Sequence, residues 1–198
     1  MKPSIRFYKG GLKIVQVVYF ILFRYKIFGR ENMPDGPALV CANHSSMADP
    51  ILISIAAGKK HYIHYIAKIE LFRVPGVSAL VTKLGAISVD RDISDTSAVK
   101  ASLGFLKKGE KIGVFPEGRR AAADDDVQLR AGAVKLAERT KSPIVPVFVP
   151  RKKSVFRRLK VTIGEPYYII KQEQKRSAED YAALTDDLMN KIELLGRG

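Results

Sequence analysis

The stretch Asn43-His44-Ser45-Ser46-Met47-Ala48-Asp49-Pro50 decides how this chain is read. Upstream, Ala38-Leu39-Val40-Cys41-Ala42 is an unbroken apolar run with the look of a short buried strand. Downstream, residues 49–58 read as a helix, with Asp49 as N-cap, Pro50 at the first helical position and Gly58 as the stop. His44 therefore sits in a strand-to-helix connection with a carboxylate five positions later. Neutral imidazole takes a proton from a hydroxyl near neutral pH, and a carboxylate on its other ring nitrogen fixes the tautomer. Positions i and i+5 do not share a helix face, so a turn has to bring 44 and 49 together. The plainer alternative is a polar loop histidine beside an aspartate that only caps a helix.

Beyond this stretch, strands and helices alternate. Residues 62–67 read as a strand, with His61 and His64 as surface histidines and no third ligand at zinc spacing. Residues 71–84, broken by Pro75-Gly76, carry a short helix and lead to the strand Ala86-Ile87-Ser88-Val89. That strand ends at Asp90-Arg91-Asp92, where Arg91 either grips a phosphate bidentately or pairs with its acidic neighbours. A helix starts at Ser94 or Asp95, shows Val99, Leu103 and Leu106 on one face, and stops at Lys107-Lys108-Gly109.

Lys111-Ile112-Gly113-Val114-Phe115 is the next strand, closed by Pro116-Glu117-Gly118-Arg119-Arg120. A glycine between an acid and two arginines just past a strand makes either a phosphate-binding turn or an exposed charged one. Asp124-Asp125-Asp126 reads as a solvated loop, and residues 130–140 as a helix. Residues 144–149 are a buried strand whose Pro146 implies an edge or an irregularity. Arg151, Lys152, Lys153, Arg157, Arg158 and Lys160 form the densest basic cluster, which either meets anionic lipid or carrier phosphates or serves as a solubilising face. Residues 161–164 are another strand, and Ser177-Ala178-Glu179-Asp180 caps a last helix with Tyr181, Leu184, Leu188 and Ile192 along one stripe.

The 198 residues suffice for one domain with a sizeable core. The single cysteine, Cys41, excludes an intramolecular disulfide and reads as a small packed residue. Thirty-four Lys and Arg against 20 Asp and Glu give a net charge of +14, which favours a polyanionic partner. Zinc-finger spacing and aromatic ribonucleoprotein boxes are missing, so nucleic acid is not expected. Residues 14–23 are the most hydrophobic run, flanked by Lys9, Lys13, Arg24 and Lys26. A run of ten residues, nine of them apolar, is too short to span a bilayer. The run fits an amphipathic helix at an anionic membrane interface, the alternative being a helix buried against the domain.

The expected fold is α/β: one domain with a mixed, largely parallel sheet flanked by helices. His44 with Asp49, Arg91, and Glu117 to Arg120 each follow a predicted strand, and loops at the carboxyl ends of such strands form the site.

These segments together resemble the glycerolipid acyltransferases, the family of 1-acylglycerol-3-phosphate acyltransferases. His44 and Asp49 match the HX4D motif, and Gly85-Ala86-Ile87-Ser88-Val89-Asp90-Arg91 resembles the second motif. Phe115-Pro116-Glu117-Gly118 resembles the third and Ile144-Val145-Pro146-Val147 the fourth, in order, across roughly residues 30–165. The resemblance implies acyl transfer from acyl-CoA or an acyl-carrier protein to a lysophospholipid, with no metal and no cofactor. His44 and Asp49 would be catalytic; Arg91, Glu117, Gly118, Arg119 and Arg120 would position the headgroup phosphate. Glu117, an anion itself, would order an arginine or a hydroxyl; Asn43 or a backbone N–H would supply an oxyanion donor. The apolar and basic pattern makes residues 1–28 a membrane-associating segment, which leaves 29–198 as the acyltransferase domain, and the resemblance implies a place at the cytoplasmic face of the cell membrane, peripheral or monotopic. Two departures stand out. Position 119 is Arg where the family usually has Thr, and the N-terminal apolar region is shorter than in members with spanning helices. The rivals are a glycerol-3-phosphate or other lysolipid acyltransferase, a hydrolase using His44 with water, Ser45 or Ser46, and a silent membrane-binding protein. The absence of a Gly-x-Ser-x-Gly elbow disfavours the hydrolase.

Overall fold

The computed structural model describes residues 24–75, 78, 81–82, 85–89, 96–121, 128–153 and 158–197. Among these, the strands are β1 (Lys26–Phe28), β2 (Ala38–Ala42), β3 (Ile63–Lys68), β4 (Ile87–Val89), β5 (Lys111–Val114), β6 (Ile144–Phe148) and β7 (Lys160–Ile163). The α-helices are α1 (Asp49–Ala57), α2 (Thr96–Lys107), α3 (Gly132–Thr140) and α4 (Ala178–Leu194).

One sheet holds the strands in the order β1-β7-β6-β2-β5-β3-β4. From β6 to β4 all pairings are parallel. β7 runs antiparallel to β6, and β1 joins β7 in parallel. The expected mixed, largely parallel sheet is therefore what the chain forms. β2 lies at its centre, and every one of its residues is buried. Alternation splits it between two cores. Ala38, Val40 and Ala42 pack with Leu52, Ile53, Ala56 and Ala57 of α1. Leu39 and Cys41 face the other layer, with Leu106 of α2, Val134 and Leu136 of α3, and Leu188 and Ile192 of α4. Each fully buried Leu or Ile here stabilises the fold by about 1.5–3 kcal/mol. Burial also pushes the Cys41 thiol far up, so it stays an inert packed group, as its strand position implied.

The final helix follows its sequence signature. Ser177 accepts from the Asp180 amide and Asp180 from the Ser177 amide, a complete capping box. Four other expectations need correction. α2 buries Ala98, Ser102 and Leu106, spaced four apart, and leaves Val99 42% exposed. Of the two readings of Pro146, the irregularity holds and the edge does not, because β6 lies between β2 and β7. Its carbonyl accepts from Gly164 N at 2.8 Å, so its missing N–H falls on the β7 side, where that ladder stops at Val147. His61 and His64 are not surface residues; both are buried. β3 is an inner strand, so the His64 ring enters the core, with Nδ1 2.7 Å from Gly85 O, Nε2 facing Glu110, and Phe105 stacked on it. Finally, the boundary expected after residue 28 falls inside the sheet, since Lys26–Phe28 pairs with Lys160, Val161 and Thr162.

The apolar run 14–23, Arg91 and Asp124 to Asp126 lie outside the described residues. Among the described residues, no helix is long and apolar enough to cross a membrane.

Candidate active site

β6, β2 and β5 are adjacent and parallel. The loops that leave their carboxyl ends therefore start side by side, where sites form in such sheets. β2 releases Asn43 and His44, β5 releases Phe115 to Arg120, and β6 releases Val149 to Lys153.

His44 and Asp49 meet. Nδ1 lies 2.9 Å from Asp49 Oδ2. A turn closed by Asp49 N donating to Ser46 O folds the chain back between them. Asp49 is the first residue of α1 rather than its N-cap; the cap position is Ala48. Its carboxylate instead turns back toward the loop, where Oδ2 also accepts from the amides of Ser45 and Ser46 at 2.7 and 2.8 Å. Oδ1 forms an ion pair with Lys153 Nζ at 2.7 Å. Complete burial of Asp49 opposes its ionisation. The hydrogen bonds from His44, Lys153 and the Ser46 amide, with the Lys153 charge, outweigh that and hold its carboxyl below the usual range. An ionised Asp49 fixes the proton on Nδ1 and leaves Nε2 as the acceptor. The ring stacks on Phe115 with centroids 4.1 Å apart, and the side chain is 14% exposed, so it reaches the rim.

Glu117 is a clamp. It is 4% exposed; Oε2 accepts from His44 N at 2.9 Å and Oε1 from Arg151 Nη2 at 2.6 Å. Arg151 also reaches Glu193 of α4 at 2.7 Å and Ala121 O at 3.2 Å. Burial works against the Arg151 charge, but Glu193 and Glu117 raise its pKa further above an already high value. The expectation that Glu117 orders an arginine holds, and the arginine is Arg151. Gly118 adopts φ +66, and a Cβ there would come within 2.8 Å of Arg130 Cδ. Ala121 N donates to His44 O at 2.8 Å, which returns the turn carrying Arg119 and Arg120 to the His44 backbone. Both arginines are exposed.

Asn43 does not face this rim. It is fully buried; Nδ2 donates to Val149 O at 2.7 Å and Oδ1 accepts from Val149 N at 2.9 Å. Both ends of the amide hold the β6 loop, so it is a brace rather than an oxyanion donor. Arg91 follows β4 but lies outside the described residues.

The sequence reading missed Arg151 and Lys153 as parts of the site. It grouped them with Lys152, Arg157, Arg158 and Lys160 as one outward cluster. Their position was the available signal, since they follow a buried strand just as His44 does. Lys153 is 7% and Arg151 17% exposed in their side chains, so neither serves a lipid surface.

With this geometry, the chain's relatives can be placed beside it. Residues 24–150 match the family model described as Acyltransferase. A 1-acyl-sn-glycerol-3-phosphate acyltransferase of Bacillus subtilis is 32% identical over 194 residues, 95% of this chain and 96% of that protein. One of Borreliella burgdorferi is 28% identical over 147 residues, 73% of this chain but only 54% of that protein. The crystal structure of the 1-acyl-sn-glycerophosphate (LPA) acyltransferase PlsC from Thermotoga maritima superposes with a TM-score of 0.69 at 25% identity, covering 97% of this chain and 79% of that one. The family model takes in the loops that carry His44, Asp49 and Glu117, and the chain belongs to the acyltransferase family.

Proposed function

We propose that this enzyme transfers a fatty acyl group from an acyl thioester to the free hydroxyl of 1-acylglycerol 3-phosphate, forming phosphatidate. The relatives named as 1-acyl-sn-glycerol-3-phosphate acyltransferases support the acceptor. The observation that carries the chemistry is the 2.9 Å contact between His44 Nδ1 and an ionised, buried Asp49, at a rim shared with Arg119 and Arg120.

In this mechanism the headgroup phosphate binds the exposed arginines, with Arg91 joining them from the second motif. Nε2 of His44 takes the proton of the attacking hydroxyl. The oxygen adds to the thioester carbonyl and forms a tetrahedral oxyanion. Its collapse breaks the carbon–sulfur bond, and the departing thiolate takes the proton back from the imidazolium. Acyl-CoA or an acyl-carrier protein would be the donor. No covalent enzyme intermediate is needed, because a thiolate leaves readily. The excess of cations and the 60% exposed Met47, three residues past His44, suit work at the anionic cytoplasmic face of a membrane as a peripheral or monotopic protein.

A serine hydrolase is the poorer reading. Ser45 Oγ donates to Arg151 O at 3.2 Å and accepts from Lys153 Nζ at 2.8 Å, so no base addresses it. The test is product analysis by mass spectrometry with acyl-CoA alone and with a lysolipid panel. Diacylated product should form only with acceptor, and His44→Ala should lower its rate by about 100- to 10,000-fold. Free fatty acid formed equally fast without acceptor, or an unaffected His44→Ala variant, would refute the proposal.

A further inference from the structure

Lys153 lies just past the residues matched by the family model. Its ammonium donates to Ser45 Oγ at 2.8 Å and to Pro150 O at 2.7 Å, and forms an ion pair with Asp49 Oδ1 at 2.7 Å. A lysine held this way is neither a base nor a surface anchor. Ser45 belongs to the β2 loop and Pro150 to the β6 loop, so the ammonium also ties these two loops together.

Its effect on the dyad follows from the arrangement of charge. Two backbone amides and the imidazole fix Oδ2, and Lys153 fixes Oδ1. The carboxylate therefore cannot swing, and the ring it orients cannot either. A buried carboxylate with no other partner would bind an imidazolium tightly and release its proton reluctantly. A cation on the far oxygen opposes that attraction, strongly so in a site shielded from water. Among the described residues, the other charged groups facing the dyad are Glu117 from the β5 loop, on the His44 amide, and Arg151 from the β6 loop, itself balanced by Glu117 and by Glu193 of α4.

We propose that Lys153 is a positioning residue of the reaction, whose ammonium aims Asp49 and loosens the hold of the His44–Asp49 unit on its proton. This rests on the reading of His44 as the base.

The test uses the full chain and the variants Lys153→Met, Lys153→Gln and Lys153→Arg. Two quantities are followed against pH: the ring signal of His44 by NMR, assigned with His44→Gln, and kcat/KM with acyl-CoA and lysophosphatidate. In the Met and Gln variants the midpoint and the acid limb should both move up by about one pH unit. Lys153→Arg, which keeps the charge, should stay with the parent protein. An unmoved midpoint, with activity reduced by one factor at every pH, would make Lys153 a mere strut and overturn the proposal. A second readout needs no substitution at 153. The buried ion pair and the two hydrogen bonds should give the Lys153 ammonium a slowly exchanging 15N–1H signal that Asp49→Asn abolishes, and fast exchange in the parent protein would also overturn it. A protein that titrates as described yet transfers no acyl group would support the ion-pair inference and sink the proposed function.

Discussion

Replacing Glu117 with Gln tests whether this residue serves the fold of the site or touches substrate. Both partners of the carboxylate are donors: the His44 amide at 2.9 Å and Arg151 Nη2 at 2.6 Å. Glutamine matches the shape but offers one oxygen and one NH2 group, so one buried donor must face another. Losing a hydrogen bond to a charged group costs about 1.5–3 kcal/mol. Arg151 keeps Glu193 and is 17% exposed, which relieves part of that loss. The expected destabilisation is about 2 kcal/mol, and in a chain of this size that lowers Tm by about 4–8 °C. Thermal unfolding and steady-state kinetics should show a lower Tm and a lower kcat, with the KM for the lysolipid little changed. A cycle with Arg151→Gln should return a coupling of about 1–2 kcal/mol. A Tm within about 1 °C of the parent, with a many-fold rise in KM, would show that Glu117 contacts substrate and that the clamp is wrongly drawn.

Two further perturbations follow from the same loops. Gly118→Ala forces φ +66 on a residue with a Cβ and drives that carbon to 2.8 Å from Arg130 Cδ; the conformational part alone costs about 1–2 kcal/mol. Calorimetry should show Gly118→Ala/Arg130→Ala recovering only the steric part of the loss, and full recovery would disprove the backbone strain. The folded-state pKa of Asp49 lies below its ordinary 3.8, so its ionisation favours the folded form above that value and ceases to do so as pH falls through the depressed one. The stability difference between the parent and Asp49→Asn should therefore be level above about pH 5 and shrink in stronger acid; a difference that grows on acidification would contradict the assignment.

What the sequence disclosed depended on whether a residue's role is set locally. The apolar run 38–42 and the strand-to-helix join at 49–50 have local causes, and both were legible. So was the capping box at Ser177, whose partners lie three residues apart. Asp49 was only half legible. Asp before Pro is a common helix start, yet here three donors upstream and Lys153 from a distant loop outcompete the helix amides. The Asn43 brace reaches 106 residues along the chain to Val149, and no local pattern announces such a partner. His64 misled for a related reason. A histidine in a strand reads as polar and outward until the sheet order makes that strand an inner one and Gly85 and Glu110 supply its partners.

The sorting of the cations carries the mechanistic weight. Composition reports one large positive excess, but the fold divides it. Arg151 and Lys153 turn inward against Asp49, Glu117 and Glu193, so among the described residues the internal network has two cations, three carboxylates and one negative charge left over. In the proposed mechanism that deficit is matched when the imidazole of His44 takes a proton from the attacking hydroxyl. Without Lys153 the network would carry a second uncompensated charge and keep the proton after the thiolate needs it. With a further internal cation the network would be neutral, and the imidazolium would lose the negative charge it compensates. Arg119 and Arg120 are exposed on the turn that the Ala121 amide ties to His44 O, and in the proposed function they meet the anionic headgroup. If the phosphate binds there as proposed, an arginine in place of the family's usual threonine at position 119 would strengthen the field it feels, with the proton balance of the dyad left to the buried network.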